Sequence, residues 1–311
     1  MIARMARRLR PRSADDGFII VAVLWILAAL ATLATIIAVY VINAATAFTV
    51  HDERLQAETM ARAAMELSVY QISLDPQTPP TRGSFAFRIG NATVAADFVT
   101  ESARIDLNVA PKELLSGLFV GLGAARGAAD FYADRIVAWR SARAEGAPDE
   151  SSYYRAAGLI YSPRGAPFQH VAELGLVLGI PEAMVERAMP FVTVYSAQAG
   201  INAMDAAPQV LAALPGMDPS RINAVLNARA AGPREAPRVL AMLGAAQTLA
   251  QARGSKAVRV TARTAFDSGQ RVTTEAVIFI LDGGTDAYRV LTWRHDIDDA
   301  PAERSSRTAI R

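Results

Sequence analysis

Between Phe18 and Ile42 this chain of 311 residues carries no charged side chain, and that run constrains everything downstream of it. At about 1.5 Å rise per residue it forms a helix of roughly 37 Å, longer than the ~30 Å hydrocarbon core of a bilayer. Fifteen of its residues are Phe, Ile, Val or Leu. At about −0.3 to −0.6 kcal/mol each near the membrane centre, they favour insertion by roughly −5 to −9 kcal/mol. Arg4, Arg7, Arg8, Arg10 and Arg12 precede the run and predict a cytoplasmic N-terminus with the body on the far side, the periplasm of a Gram-negative cell.

A secretory signal peptide competes for the same features, but its apolar region is shorter, about 7 to 15 residues, and ends at a small-x-small site. Here the sequence continues into "FTVHDERLQAETMARAAMELSVYQISL", where Leu55, Met60, Ala63, Leu67 and Tyr70 recur at near-helical spacing between charges. One helix over residues 18–74 is predicted, its outer half amphipathic.

The length allows about two domains of roughly 100 to 200 residues. The formal charge of +2 is set by the first 17 residues, since the remainder sums to 27 basic and 28 acidic side chains. A nearly neutral body argues against a dedicated polyphosphate binder. Without cysteine there can be no disulfide, thiolate metal site or thiol nucleophile. His51, His170 and His295 lie far apart, no G-x-S-x-G elbow occurs, and Gly121-Leu122-Gly123 lacks the third glycine of a dinucleotide fingerprint. No enzyme activity is expected.

"DPQTPPTRGS" over residues 75–84 breaks the helix. "FAFRIGNATVAADFV" reads as two strands turning at Gly90-Asn91, followed by a short third strand reaching Leu107. "KAVRVTARTAF", "RVTTEAVIFIL" and "YRVLTWRH" alternate as a C-terminal meander, with Val258, Val260 and Ala262 on one face and Arg259, Thr261 and Arg263 on the other. The region between is helical and repetitive. Three stretches read as helix, glycine hairpin, helix: "APKELLSGLFVGLGAARGAADFYADRIVAWRSA", "HVAELGLVLGIPEAMVERAMPFV" and "APQVLAALPGMDPSRINAVLNARAA". "IDLNVAPKELL" parallels "INAMDAAPQVL", with Ala110-Pro111 and Ala207-Pro208 each opening a helix. Strand, helices, then strand again implies an insertion. The predicted class is α+β, a long N-terminal helix packed on an antiparallel sheet with an all-α insertion of helix-hairpin-helix-like repeats. The segments are 1–17 (leader), 18–74 (helix), 75–108 (first strands), 109–250 (insertion), 251–297 (last strands) and 298–311 (disordered charged tail).

A basic leader ending at Gly17, a hydrophobic Phe18 after it and a long helix resemble a type IV prepilin-like protein. The resemblance implies cleavage between Gly17 and Phe18 by a prepilin peptidase, and N-methylation of Phe18. Such chains commonly carry glutamate at the fifth mature position, pairing with the buried terminal ammonium of the preceding subunit; here Ala22 stands there. A carboxylate in lipid costs about 2.5 to 3.5 kcal/mol and needs a partner, so its absence suits a subunit with none above it, at a fibre tip.

The body is similar to type II secretion system protein K. The resemblance rests on Asp106-Leu107-Asn108-Val109-Ala110-Pro111, on Phe168, Val171, Glu173 and Leu174, on Thr193-Val194-Tyr195-Ser196, and on the following "IN…AAPQVLAALPG", all in order. It implies a minor pseudopilin of the inner membrane, with minor pseudopilins I and J and other pseudopilins as partners, starting the pseudopilus that exports folded proteins. It also implies calcium, held by an acidic run after a tryptophan. Here that run is Ala138-Trp139-Arg140-Ser141-Ala142-Arg143, and only Asp149 and Glu150 follow as candidate ligands. Calcium takes about six to eight oxygens, so no cofactor is expected.

The rival reading is a membrane-anchored DNA receptor built of helix-hairpin-helix units, whose hairpin N–H groups hold phosphate. "LPGMD" over residues 214–218 begins such a hairpin, but Asp218 occupies the place of its second glycine and Pro181 that place in "LGIP". Only "GLGAAR", with Arg126, is intact, and no nucleic acid is expected as a partner.

Overall fold

The computed structural model describes residues 15–142, 150–283 and 286–298. It divides into two units, residues 1–56 and 57–311. Helix α1 (Asp15–Ser73) supplies the described part of the first unit and enters the second.

Within the second unit, α1 leads into the hairpin β1 (Arg82–Ile89) and β2 (Ala92–Thr100), turned through Gly90 at φ +56°. Positive φ at the first loop position is what a two-residue hairpin asks of glycine. The short strand β3 (Ile105–Asp106) follows, then helices α2 (Lys112–Gly121), α3 (Arg126–Arg140), α4 (Glu150–Ala156) and α5 (Glu182–Ala188). Next come β4 (Val192–Thr193), β5 (Ile201–Asn202), α6 (Pro208–Ala212), α7 (Pro219–Ala230), α8 (Ala236–Met242) and β6 (Ala250–Gln251). The meander β7 (Ala257–Phe266), β8 (Arg271–Ile280) and β9 (Tyr288–Asp298) closes the described chain.

The main sheet is antiparallel in the order β1-β2-β7-β8-β9. Strands β2 and β7 are direct neighbours, with Thr100 opposite Val258. The chain therefore leaves the sheet after Thr100 and returns beside its point of departure, which is the geometry of an insertion. Two separate cores follow from it. One packs Ala57, Met60, Ala61, Ala64, Met65, Val69 and Ile72 of α1 on Val94, Phe98, Val260 and Ile278 of the sheet. The other is wholly inside the insertion, around Leu114, Leu118, Ile136, Leu174, Leu211 and Val225.

Three sequence expectations are corrected here. Of the apolar series Leu55, Met60, Ala63, Leu67 and Tyr70, Met60 is buried and Ala63 half-buried, but Leu55, Leu67 and Tyr70 are 51%, 39% and 63% exposed, so the series does not mark the buried face of α1. The buried face is built of Ala57, Ala61, Ala64, Met60, Met65, Val69, Ile72 and Ser68, whose hydroxyl donates to the Ala64 carbonyl at 2.7 Å. The alanines let the helix approach the sheet closely, while Leu55, Leu67 and Tyr70 are left outside. The third strand ending near Leu107 exists as β3, but it pairs in parallel with β4 rather than joining the main sheet. Of the three hairpin stretches, the second opens with a 3₁₀ turn over Val171–Leu176 in place of an α-helix, and the first helix of the third is only Pro208–Ala212.

Candidate functional site

Among the described residues, Ile20–Val41 of α1 is the segment long and apolar enough to cross a membrane, and none of it is buried by the rest of the protein. Its threonine hydroxyls are satisfied inside the helix: Thr32 donates to the Ala28 carbonyl and Thr35 to the Ala31 carbonyl, each at 2.8 Å. A spanning segment must close its hydrogen bonds this way because lipid offers none. Gly17 and Phe18 lie in the first turn of α1, which begins at Asp15, ahead of the expected cleavage junction; their side chains lie outside the described residues. Ala22 is partly exposed on the same apolar stretch, with no carboxylate from Phe18 to Ile42.

The loop following Trp139 was the place where a metal could have been sought. Arg140 ends α3 there and turns inward, donating from Nη2 to the Ala110 carbonyl at 2.7 Å and from Nη1 to the Leu107 carbonyl. Burial lowers the pKa of its guanidinium, opposed by the Asp106 carboxylate. Ser141 donates back to the Val137 carbonyl at 2.7 Å. Of the two candidate ligands, Asp149 lies outside the described residues. Glu150 starts α4 and sits 2.6 Å from Arg135 Nη1 in a largely buried ion pair. No group of three acidic or histidine side chains placed for a metal occurs among the described residues. Arg135 thus holds Glu150 and Arg140 is engaged by backbone carbonyls, and cationic side chains are the opposite of the donor set calcium needs.

The third glycine hairpin is occupied by its own side chains. Asp218 caps α7 by accepting from the Arg221 N–H at 2.9 Å, and Arg221 Nη1 donates to the Gly216 carbonyl at 3.0 Å. The helix N–H groups that would greet a phosphate are thus partly taken up by a carboxylate. Ala125 and Pro181 stand at the N-caps of α3 and α5 without any side-chain cap. His170 lies at the start of the 3₁₀ turn, and its N–H donates to Glu173 at 3.4 Å. His295 hydrogen-bonds Thr274 at 2.9 Å on the sheet. The two do not converge.

Sequence reasoning missed the charge cluster at the base of the insertion. Glu101, whose side chain is fully buried, accepts from Arg259 Nε at 2.8 Å and from Nη2 at 3.1 Å. It also accepts from the Thr193 hydroxyl, while Arg259 reaches Glu275 as well. Burial by itself would lower the pKa of Arg259, but the two glutamates raise it. Arg104 is pushed down by burial and by the neighbouring Arg259. The cluster ties β7 and β8 of the sheet to β4 of the insertion. By alternation Arg259 belongs to the solvent face of β7, and nothing local signals that the insertion covers that spot.

Residues 96–197, from the end of β2 to just beyond β4, match the family model described as type II secretion system (T2SS), protein K. No curated protein matches the chain. A chain from the crystal structure of the GspK-GspI-GspJ complex of the enterotoxigenic Escherichia coli type 2 secretion system is similar in fold, with a TM-score of 0.57 at 16% identity. The match covers 79% of this chain and 98% of that one. Family model and fold together support the resemblance read from the sequence, that of a chain in the type II secretion system protein K family.

Proposed function

We propose that the chain is a minor pseudopilin of the type II secretion system, a structural subunit that performs no reaction of its own. It is cut between Gly17 and Phe18 and methylated on Phe18 by a prepilin peptidase. Its apolar helix holds it in the inner membrane with the body in the periplasm. It joins minor pseudopilins I and J, starts the pseudopilus and sits at its tip. The observation that carries the reading is a membrane-length apolar segment in the same helix that packs on an antiparallel sheet, with a self-cored insertion between adjacent strands β2 and β7.

Two features support the finer parts. The apolar Leu67, Tyr70 and Leu74 stay exposed beside the sheet-packed face of α1, where a partner helix would cover them. Ala22 stands where a carboxylate would need an ammonium from another subunit. The test is mass spectrometry of the native chain together with co-purification. The expected product starts at N-methylated Phe18 and brings down the I and J counterparts; Leu67→Asp with Tyr70→Asp weakens that capture at least tenfold while leaving processing intact. A chain still beginning at Met1 in cells with active peptidase would refute the reading, as would undiminished capture by the double variant.

A further inference from the structure

The two halves of the insertion repeat one local device. Asp106 and Asn202 each end a two-residue strand, and each offers its side-chain Oδ1 to the N–H two residues on: Asn108 at 2.8 Å and Met204 at 2.9 Å. Each also offers its backbone carbonyl to the N–H four residues on, Ala110 and Ala206, both at 2.9 Å. The residue after each binds a neighbouring strand, Leu107 to the Thr193 carbonyl at 2.8 Å and Ala203 to the Gln251 carbonyl at 2.9 Å. A helix follows, with its N-cap five positions on, at Pro111 and at Ala207. The equivalence is therefore Ala110 with Ala206 and Pro111 with Ala207, one residue out of step with the Ala-Pro pairs that the sequence suggests.

Such a turn leaves two carbonyls pointing inward, those one and four positions after the Asp or Asn. In the first half both are taken by Arg140, at the end of α3. In the second half both are reached by one nitrogen, Nη1 of Arg229 near the end of α7, at 2.6 Å to Ala206 and a longer 3.4 Å to Ala203. Both guanidiniums are partly withdrawn from water, which lowers their pKa. A buried carbonyl without a donor is destabilising, so four of them need an answer. A guanidinium offers several donors in one plane: Arg140 meets its two oxygens with two nitrogens, and Arg229 meets its pair with Nη1.

We infer that Arg140 and Arg229 are equivalent internal cations that each close one strand-to-helix turn, so that the insertion holds its fold without a divalent ion. The calcium that the family resemblance implies does not fit beside Arg140, and Arg229 performs the same task in the half where no metal is implied. The fold is thus closed at both turns by one arginine each.

The experiment uses the full chain in detergent, with thermal unfolding and hydrogen exchange read by mass spectrometry. Arg140→Met is expected to lower the melting temperature by about 4–10 °C and to speed exchange at the amides of residues 107–110. Arg229→Met does the same at residues 203–206. Arg140→Lys and Arg229→Lys, which keep a charge and can reach one carbonyl, lie between the native chain and the Met variants and cover the case in which a Met variant does not fold. Native protein melts at the same temperature with millimolar calcium chloride as with chelator. Unchanged exchange at both turns in the Met variants would overturn the inference; so would a calcium-dependent rise in the native melting temperature.

Discussion

Replacing Arg259 by methionine tests how the insertion is joined to the sheet. The substitution keeps an unbranched apolar stem and removes the guanidinium with its charge. It strips Glu101 of two hydrogen bonds, at 2.8 and 3.1 Å, in a place where the carboxylate side chain has no exposure to water. Among the described residues Thr193 still donates to it, and Arg104 is the nearby positive charge that remains, with Glu275 also losing its pairing to Arg259. Breaking a buried ion pair by removing one partner typically costs about 3–5 kcal/mol, because the other charge is left uncompensated. For a body of this size each kcal/mol moves the midpoint by about 2–4 °C, so a fall of roughly 6 to 20 °C is expected. Scanning calorimetry of the full chain in detergent measures it. Adding Glu101→Leu to Arg259→Met should recover most of the loss, since an apolar pair can replace a buried ion pair at little cost. The reasoning fails if Arg259→Met melts within about 2 °C of the native chain, or if the double variant is no more stable than the single one.

Three further outcomes follow from local geometry. Gly117→Ala would place a Cβ 2.0 Å from the Ala213 carbonyl oxygen; an overpacking loss of about 1–3 kcal/mol or more is expected in denaturant titration. Exchanging the two turn residues should fail in both directions. Asp106→Asn loses an acceptor for the Ala197 N–H and Ser196 hydroxyl, while Asn202→Asp brings a second carboxylate against Asp205; thermal melts should show both less stable by about 1–3 kcal/mol. Tyr288 is pushed up to about 12 by burial and by its hydrogen bond to Glu66. An unfolded tyrosine ionises near pH 10, so this contribution is complete below about pH 10 and lost as pH rises toward 12. Tyr288→Phe should flatten that alkaline decline in stability.

The long apolar helix was legible in the sequence because a run of twenty-odd uncharged, mostly apolar residues admits few other forms, and the strands because β-branched alternation has one period. The paired turns were legible too, as "IDLNVAPKELL" beside "INAMDAAPQVL". What could not be read was which residues face each other across long separations. Leu67 and Tyr70 fit an amphipathic stripe as well as the true buried face does, and only docking on the sheet shows that the helix turns Ala57, Ala61, Ala64, Met65 and Val69 inward instead. Arg140 and Arg229 look like ordinary charged residues near the ends of helices, and their register was mistaken by one residue for the same reason: proline marks a helix start but not whether it is the cap or the first turn.

Patterns along the chain therefore determined the elements, their order and the insertion between two groups of strands, since local periodicity and turn residues act over a few positions. The tertiary structure alone decided the face of α1, the pairing of β3 with β4, the burial of Glu101 with Arg259 and the closing of two turns by arginine. Each depends on a neighbour that chain separation hides, 158 positions away for the Glu101–Arg259 pair, and on the loss of water that makes one unpaired charge or carbonyl costly.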